Sequence, residues 1–139
     1  MRIPDRLLYE YAIVRYVPRV DREEFVNIGL IMMCKRSKWL HGEIRLNSDR
    51  VRAFDPRCNI DSILTQSSLF MREDVPSAGL PVEERYRWLA AVKSAVLQVS
   101  PSHPGIIAVD DDFSYDNEAE VLALLNQEFE RLLAELVDY

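Results

Sequence analysis

The chain has 139 residues, with 17 Lys/Arg against 23 Asp/Glu for a formal charge of −6, and it is 48% hydrophobic and 29% charged. That balance excludes general disorder, and no apolar run approaches the roughly 18 residues needed to span a bilayer. The charge is lopsided: residues 1–60 hold 12 basic and 8 acidic side chains, a net of +4, and residues 61–139 hold 5 and 15, a net of −10.

The start of the chain, Met1 to Arg6, lacks the apolar stretch of a signal peptide. Two cysteines, Cys34 and Cys58, build neither a disulfide framework nor a zinc ribbon. A cytoplasmic protein with reduced thiols is expected.

Tyr9 to Val17 is rich in aromatic and β-branched residues, which suit a partly buried strand, and Pro18 ends it. Arg19 to Glu24 reads as a connection. Phe25 to Cys34 is the most apolar segment. Val26, Ile28, Leu30, Met32 and Cys34 make one wholly apolar side by simple alternation, and Ile31 and Met33 lie on the other. A strand apolar on both sides is expected in the centre of its sheet. Lys35 to Lys38 forms a basic hairpin loop. Trp39 to Leu46 alternates, with Leu40, Ile44 and Leu46 inward and His41, Glu43 and Arg45 outward.

The rest reads as mostly helical. Asn47 or Ser48 caps a short helix through Phe54, and Asn59 caps a second one carrying Ile60, Ile63, Leu64, Ser67, Phe70 and Met71. Residues 73–82, with two prolines and a glycine, form a loop. Glu83 to Val99 places Tyr86, Leu89, Val92, Lys93, Val96 and Leu97 at helical spacing. Ser100 to Gly105 is a rigid turn. Asn117 with Glu120 caps a long final helix striped by Leu122, Leu125, Phe129, Leu132, Leu133 and Leu136. The expectation is a single α+β domain: an antiparallel meander of about three to four strands with helices packed mainly on one face.

No Gly-rich phosphate loop, nucleophile elbow or pair of histidines at metal spacing is present. His41, His103, Cys34 and Cys58 would meet only by tertiary coincidence, and Asp110 to Asp112 reads as a solvated loop. No metal and no cofactor are expected.

Polar residues inside apolar segments carry the functional signal. Arg15 lies mid-strand and needs a carboxylate or carbonyls, since an unpaired buried charge costs several kcal/mol. Glu24 is one candidate partner. Asn27 brings two donors and an acceptor into an apolar stretch, and Gly29 lets another backbone or a ligand come close. A fold-internal network, for instance Arg15 to Glu24 across neighbouring strands, with a β-bulge is the favoured reading of these residues, ahead of a site. A second cluster holds Arg85 beside Trp88, a cation–π shelf and anion grip, with Lys93, Ser94 and His103 as further donors. Lys35, Arg36, Lys38, Arg45, Arg50, Arg52 and Arg57 add a basic patch without a base-reading motif.

Tyr11-Ala12-x-x-Arg15-Tyr16-x-Pro18, Glu24-Phe25-Val26-Asn27-Ile28-Gly29, Arg85-Tyr86-x-Trp88-Leu89, Ser94 and Ser100-Pro101-x-His103-x-Gly105 resemble a bacterial family catalogued as domain of unknown function 3037. Lys93 stands where arginine is commoner in that family. The resemblance implies no activity. It implies an association with kinases of the HipA-like persistence type, beside which such proteins are often encoded.

The leading expectation is a non-catalytic binding or accessory module with a protein partner, such as a HipA-like kinase or a second copy of the chain. It would use a polar pocket between the sheet and the Glu83–Val99 helix. The alternative is a small hydrolase or transferase for an anionic substrate. Its base would be Glu24 or His103, its nucleophile Ser94 and its charge stabilisers Arg15 and Arg85. Nucleic-acid binding by the basic N-terminal half ranks third.

Overall fold

The computed structural model describes residues 6–70, 79–91 and 94–138. β1 (Arg6–Tyr16), β2 (Val26–Cys34) and β3 (Trp39–Ile44) form the antiparallel meander, with a single 3-10 turn at Val20–Arg22 in the first connection. α1 (Ser48–Phe54), α2 (Ile60–Phe70) and α3 (Val82–Ala90) follow, then β4 (Leu97–Val99), β5 (His103–Ala108) and α4 (Glu118–Leu136). The sheet runs β3-β2-β1-β4, and β5 also pairs with β1. All pairings are antiparallel. The architecture is α+β.

β1 alternates between two cores. Leu7 and Tyr9 pack with Val121, Leu125, Phe129, Leu132 and Leu133 of α4. Ala12, Val14 and Tyr16 pack with Val51 of α1, Ile63 of α2 and Val82 and Tyr86 of α3. Three helices therefore cover one face and the longest helix covers the other. β2 is buried through most of its length because it lies between β1 and β3 under both layers.

The simple alternation expected for β2 breaks at its middle. Val14 lies opposite Gly29 and Arg15 opposite Asn27, so Ile28 is an extra residue without a counterpart. This β-bulge changes the phase of the strand. Val26 and Ile28 face α1–α3, as do Ile31 and Met33, whereas Leu30, Met32 and Cys34 face α4. Gly29 is required here by contact: a Cβ would lie 2.8 Å from the Glu43 carbonyl oxygen and 2.7 Å from Ile44 Cδ1.

The expected caps form. Asn47 Oδ1 accepts from Arg50 N, Asn59 Oδ1 from Ser62 N and Asn117 Oδ1 from Glu120 N. β3 ends two residues before Leu46, although Leu40, Ile44 and Leu46 all pack against the α1–α3 core as their alternation predicts.

The helix expected over Glu83–Val99 is a correction. α3 stops at Ala90, and Leu97–Val99 is a strand opposite Tyr16, Arg15 and Val14. Two forces override the helical spacing. The Ser94 hydroxyl accepts from Leu97 N at 2.9 Å, offering the backbone a non-helical partner. The open edge of β1 also needs partners for its buried backbone groups. The turn expected at Ser100–Gly105 is likewise shorter, since His103–Ala108 pairs with Tyr11–Arg6. Met71 and most of the loop expected at 73–82 lie outside the described residues.

Ser100 joins the two short strands. Its backbone N–H donates to Ile13 O at 2.8 Å, and its buried hydroxyl accepts from Ile13 N at 2.9 Å. The ladder along β1 thus continues across the gap that Pro101, which has no N–H, would otherwise leave. Gly105 then sits under the ring of Tyr9, where a Cβ would come 2.5 Å from the hydroxyl oxygen.

Gly29→Ala is expected to destabilise the protein by about 1–3 kcal/mol, because Glu43 backbone must move. Gly79→Ala, with nothing within 4 Å of its Cβ position, should change stability by less than about 0.5 kcal/mol. Urea denaturation of the two variants against the parent measures both.

Candidate functional site

Arg15 and Asn27 are brought together as a cross-strand pair beside the bulge, on the α4 side of the sheet. The Arg15 guanidinium lies 4.0 Å from the centroid of the Phe25 ring. Asn27 Nδ2 donates to the Leu136 carbonyl at 3.0 Å. Arg15 Nε and Asn27 Oδ1 are buried and have no hydrogen-bond partner among the described residues. The partnership of Arg15 with Glu24 does not form. Glu24 is exposed and makes no ion pair with any described residue. Phe25 takes that place, because a ring face attracts a guanidinium without requiring a buried carboxylate.

The same end of α4 gathers further donors. Arg50 Nη1 donates to the Val137 carbonyl. Arg45 reaches Asp138 at 2.9 Å, Glu43 at 2.6 Å and Glu130 at 3.3 Å. The last carbonyls of a helix lack partners and carry partial negative charge, so donors there are stabilising. Asn27, together with two arginines of the basic patch, thus anchors the C-terminal end of α4.

The second set lies elsewhere. Arg85 and Trp88 are half-buried on α3, across the sheet from α4. Ser94 is committed as acceptor to Leu97 N. His103 is exposed and stacks on Tyr11, ring centroids 5.3 Å apart, on the α4 side. Leu97 pairs with Tyr16 and His103 with Tyr11, so the serine and histidine regions are separated by about 16 Å along β1 at ~3.3 Å per residue. Arg15 and His103 share a face but stand about 13 Å apart by the same measure. The shared pocket expected between the sheet and a Glu83–Val99 helix is not assembled from these residues. Lys93 lies outside the described residues.

A different concavity stands out. A cavity of about 580 Å³ opens between the β2–β3 hairpin and the start of α4. Arg36, Lys38 and Trp39 line one side, and Tyr115, Leu122 and Leu125 are among the residues on the other. The Arg36 guanidinium lies 3.6 Å over the Tyr115 ring. Arg36 and Lys38 make no ion pair with a described residue, although Asp116 and Glu118 line the same cavity. In the sequence only the basic hairpin pointed here. Tyr115 and Leu122 carried no such signal, because nothing in the linear pattern joins residues 36–39 to 115–125.

Among the described residues no group of three or more His, Cys, Asp or Glu side chains is placed to hold a metal ion. No described helix is long and apolar enough to cross a membrane. Both cysteines are free, and Cys34 is buried.

These features define an α+β protein whose five-stranded antiparallel sheet carries helices on both faces. A family model described as protein of unknown function DUF3037 matches residues 11–137, nearly the whole chain, and the chain belongs to that family. No curated protein and no solved structure matches it.

Tyr86 supplies a pH dependence. Its hydroxyl pairs with Ser102 Oγ at 2.7 Å. Burial, reinforced by the Glu10 carboxylate, pushes the Tyr86 hydroxyl up to about 12, against a smaller opposing effect of Ser102. The folded value lies above the unfolded value of about 10. The stabilising contribution is therefore full below pH 10 and is lost as pH rises toward 12. Tyr86→Phe is expected to remove its share of the loss of stability above pH 10, the raised Tyr9 and Tyr16 hydroxyls keeping theirs, while costing about 1 kcal/mol at neutral pH from the missing hydrogen bond. Urea midpoints measured between neutral and alkaline pH read out both effects.

Proposed function

We propose that this protein is a non-catalytic, cytoplasmic binding module that acts with a protein partner. The observation that carries the reading is the dispersal of the polar motif. Asn27 is spent on the end of α4, Ser94 on the turn into β4 and Ser100 on the join between β4 and β5. Side chains of the kind needed for a nucleophile and its base thus support the framework. A catalytic constellation instead needs such groups within hydrogen-bond reach of one another.

An exposed apolar strip on the sheet supports the same reading. Leu8 and Ile106 lie opposite each other and are 58% and 54% exposed. Pro104 and Ala108 continue the strip, and Glu10 and Arg6 lie opposite them as a polar rim. Contiguous apolar surface rimmed by charge is the ordinary form of a protein-binding patch. The family resemblance makes a HipA-like kinase the partner to test. Arg45 and Arg50 are already engaged by α4, which favours protein binding over nucleic-acid binding for this half of the chain.

Coexpression with a HipA-like kinase from the same organism, followed by size-exclusion chromatography, tests the proposal. Co-elution is expected, and it should be lost in the Leu8→Glu/Ile106→Lys double variant, whose opposite charges face each other across the strands, while the protein stays folded. Separate elution of the two proteins, or a complex that the double variant leaves intact, would overturn this assignment.

A further inference from the structure

The hairpin–helix cavity holds a combination that the partner reading does not use. Its floor is apolar, with Val121 and Leu125 buried beneath it and Leu122 exposed along it. Its walls are aromatic, Trp39 on one side and Tyr115 on the other. Two cations and two carboxylates share the rim without pairing with each other. A volume of about 580 Å³ falls within the usual range for small-molecule sites.

The backbone holds this rim in place. Lys38 has φ of 52°, a left-handed conformation that L side chains adopt at a cost, and its N–H donates to Lys35 O at 3.1 Å. Strain of this kind is tolerated where surrounding structure enforces it, and it clusters at binding sites. Arg36 is spread over Tyr115, so one face of its guanidinium is occupied while its N–H donors make no hydrogen bond to a described residue. The sequence as a whole is acidic, yet these two cations remain unneutralised beside Asp116 and Glu118.

We infer that this cavity binds a nucleoside monophosphate. The base would lie against Trp39 over the Leu122–Leu125 floor. The phosphate would meet Lys38 and the free edge of Arg36, and the ribose hydroxyls would donate to Asp116 and Glu118. Base, phosphate and ribose each then have a counterpart in the lining, with Tyr115 holding the Arg36 guanidinium from behind. Inorganic phosphate alone would leave the aromatic walls unused, and an uncharged nucleoside would leave the cations unused. The inference goes beyond the partner reading and stands without it, since the Leu8–Ile106 strip belongs to the α1–α3 side of the sheet and the cavity is bounded by α4.

The test is an amide and indole NMR titration of the full ¹⁵N-labelled chain with adenosine 5′-monophosphate at low salt. Saturable shifts are expected at Lys38, the Trp39 indole, Tyr115 and Leu122. Adenosine and inorganic phosphate, titrated separately, should each bind weaker by roughly tenfold or more. The Arg36→Gln/Lys38→Gln double variant removes two exposed charges and the Arg36–Tyr115 cation–π contact, and should stay folded with a thermal midpoint lowered by no more than a few degrees. It should also lose roughly tenfold or more in affinity for the nucleotide. Absence of saturable shifts at these residues would overturn the inference. So would inorganic phosphate binding as tightly as the nucleotide, or a folded double variant that binds as the parent does.

Discussion

Everything in this fold depends on satisfying both edges of β1. A buried strand of 11 residues cannot leave its N–H and C=O groups unpaired. One edge is served by β2 through a bulged ladder. The other edge is served by two short strands, β4 and β5. The join falls at Ile13, where Ser100 contributes a backbone donor and a side-chain acceptor. The Ser100–Pro101 pair is thus a solution to a pairing problem, and the segment from Ser94 to Gly105 is organised around it.

The charge asymmetry has a related role inside the molecule. Basic side chains of the meander and α1 meet the acidic and carbonyl-rich end of α4: Arg45 with Glu130 and Asp138, Arg50 with Val137. Asn27 adds a neutral donor to Leu136. Further along the helix, Glu128 takes the Tyr9 hydroxyl and Arg131. The hydrogen bonds from Arg131 and Tyr9 outweigh burial and lower the Glu128 carboxyl. Exposed pairs of this sort contribute little individually. Converging on one helix end, they fix its register against the sheet. The hairpin cations at Arg36 and Lys38 are the part of the asymmetry that this arrangement does not absorb.

Much of the framework was legible in the sequence. Strict alternation identified β3, the aromatic and β-branched run identified β1, and three asparagine caps marked the starts of α1, α2 and α4. Two features escaped for physical reasons. A β-bulge was among the readings of Asn27 and Gly29, but its inversion of the facing of β2 beyond Ile28 was not, because an apolar residue on either side of that strand is equally at home. Leu97–Val99 fits a helical stripe and a strand alike, and only the vacant edge of β1 decides between them. The site was less legible than the fold. Arg15 and Asn27 were recognisable as polar residues in need of partners, and they did come together. Glu24 and His103 face solvent, Ser94 serves the turn into β4, and Arg85 lies on α3 across the sheet, so these residues are not gathered around Arg15. The cavity walls, distant in sequence, meet only through the packing of α4 on the hairpin.

The lateness of β5 carries a cost during synthesis. β1 can pair with β2 as soon as the hairpin emerges, but its other edge pairs with residues 97–108. For most of translation the nascent meander therefore displays an open strand of alternating aromatic and β-branched residues, the geometry most prone to pairing with a neighbouring chain. Contacts of such long sequence separation also form slowly. Glu10 and Arg15 interrupt that exposed run with charge. Charges at such positions oppose pairing with a neighbouring chain.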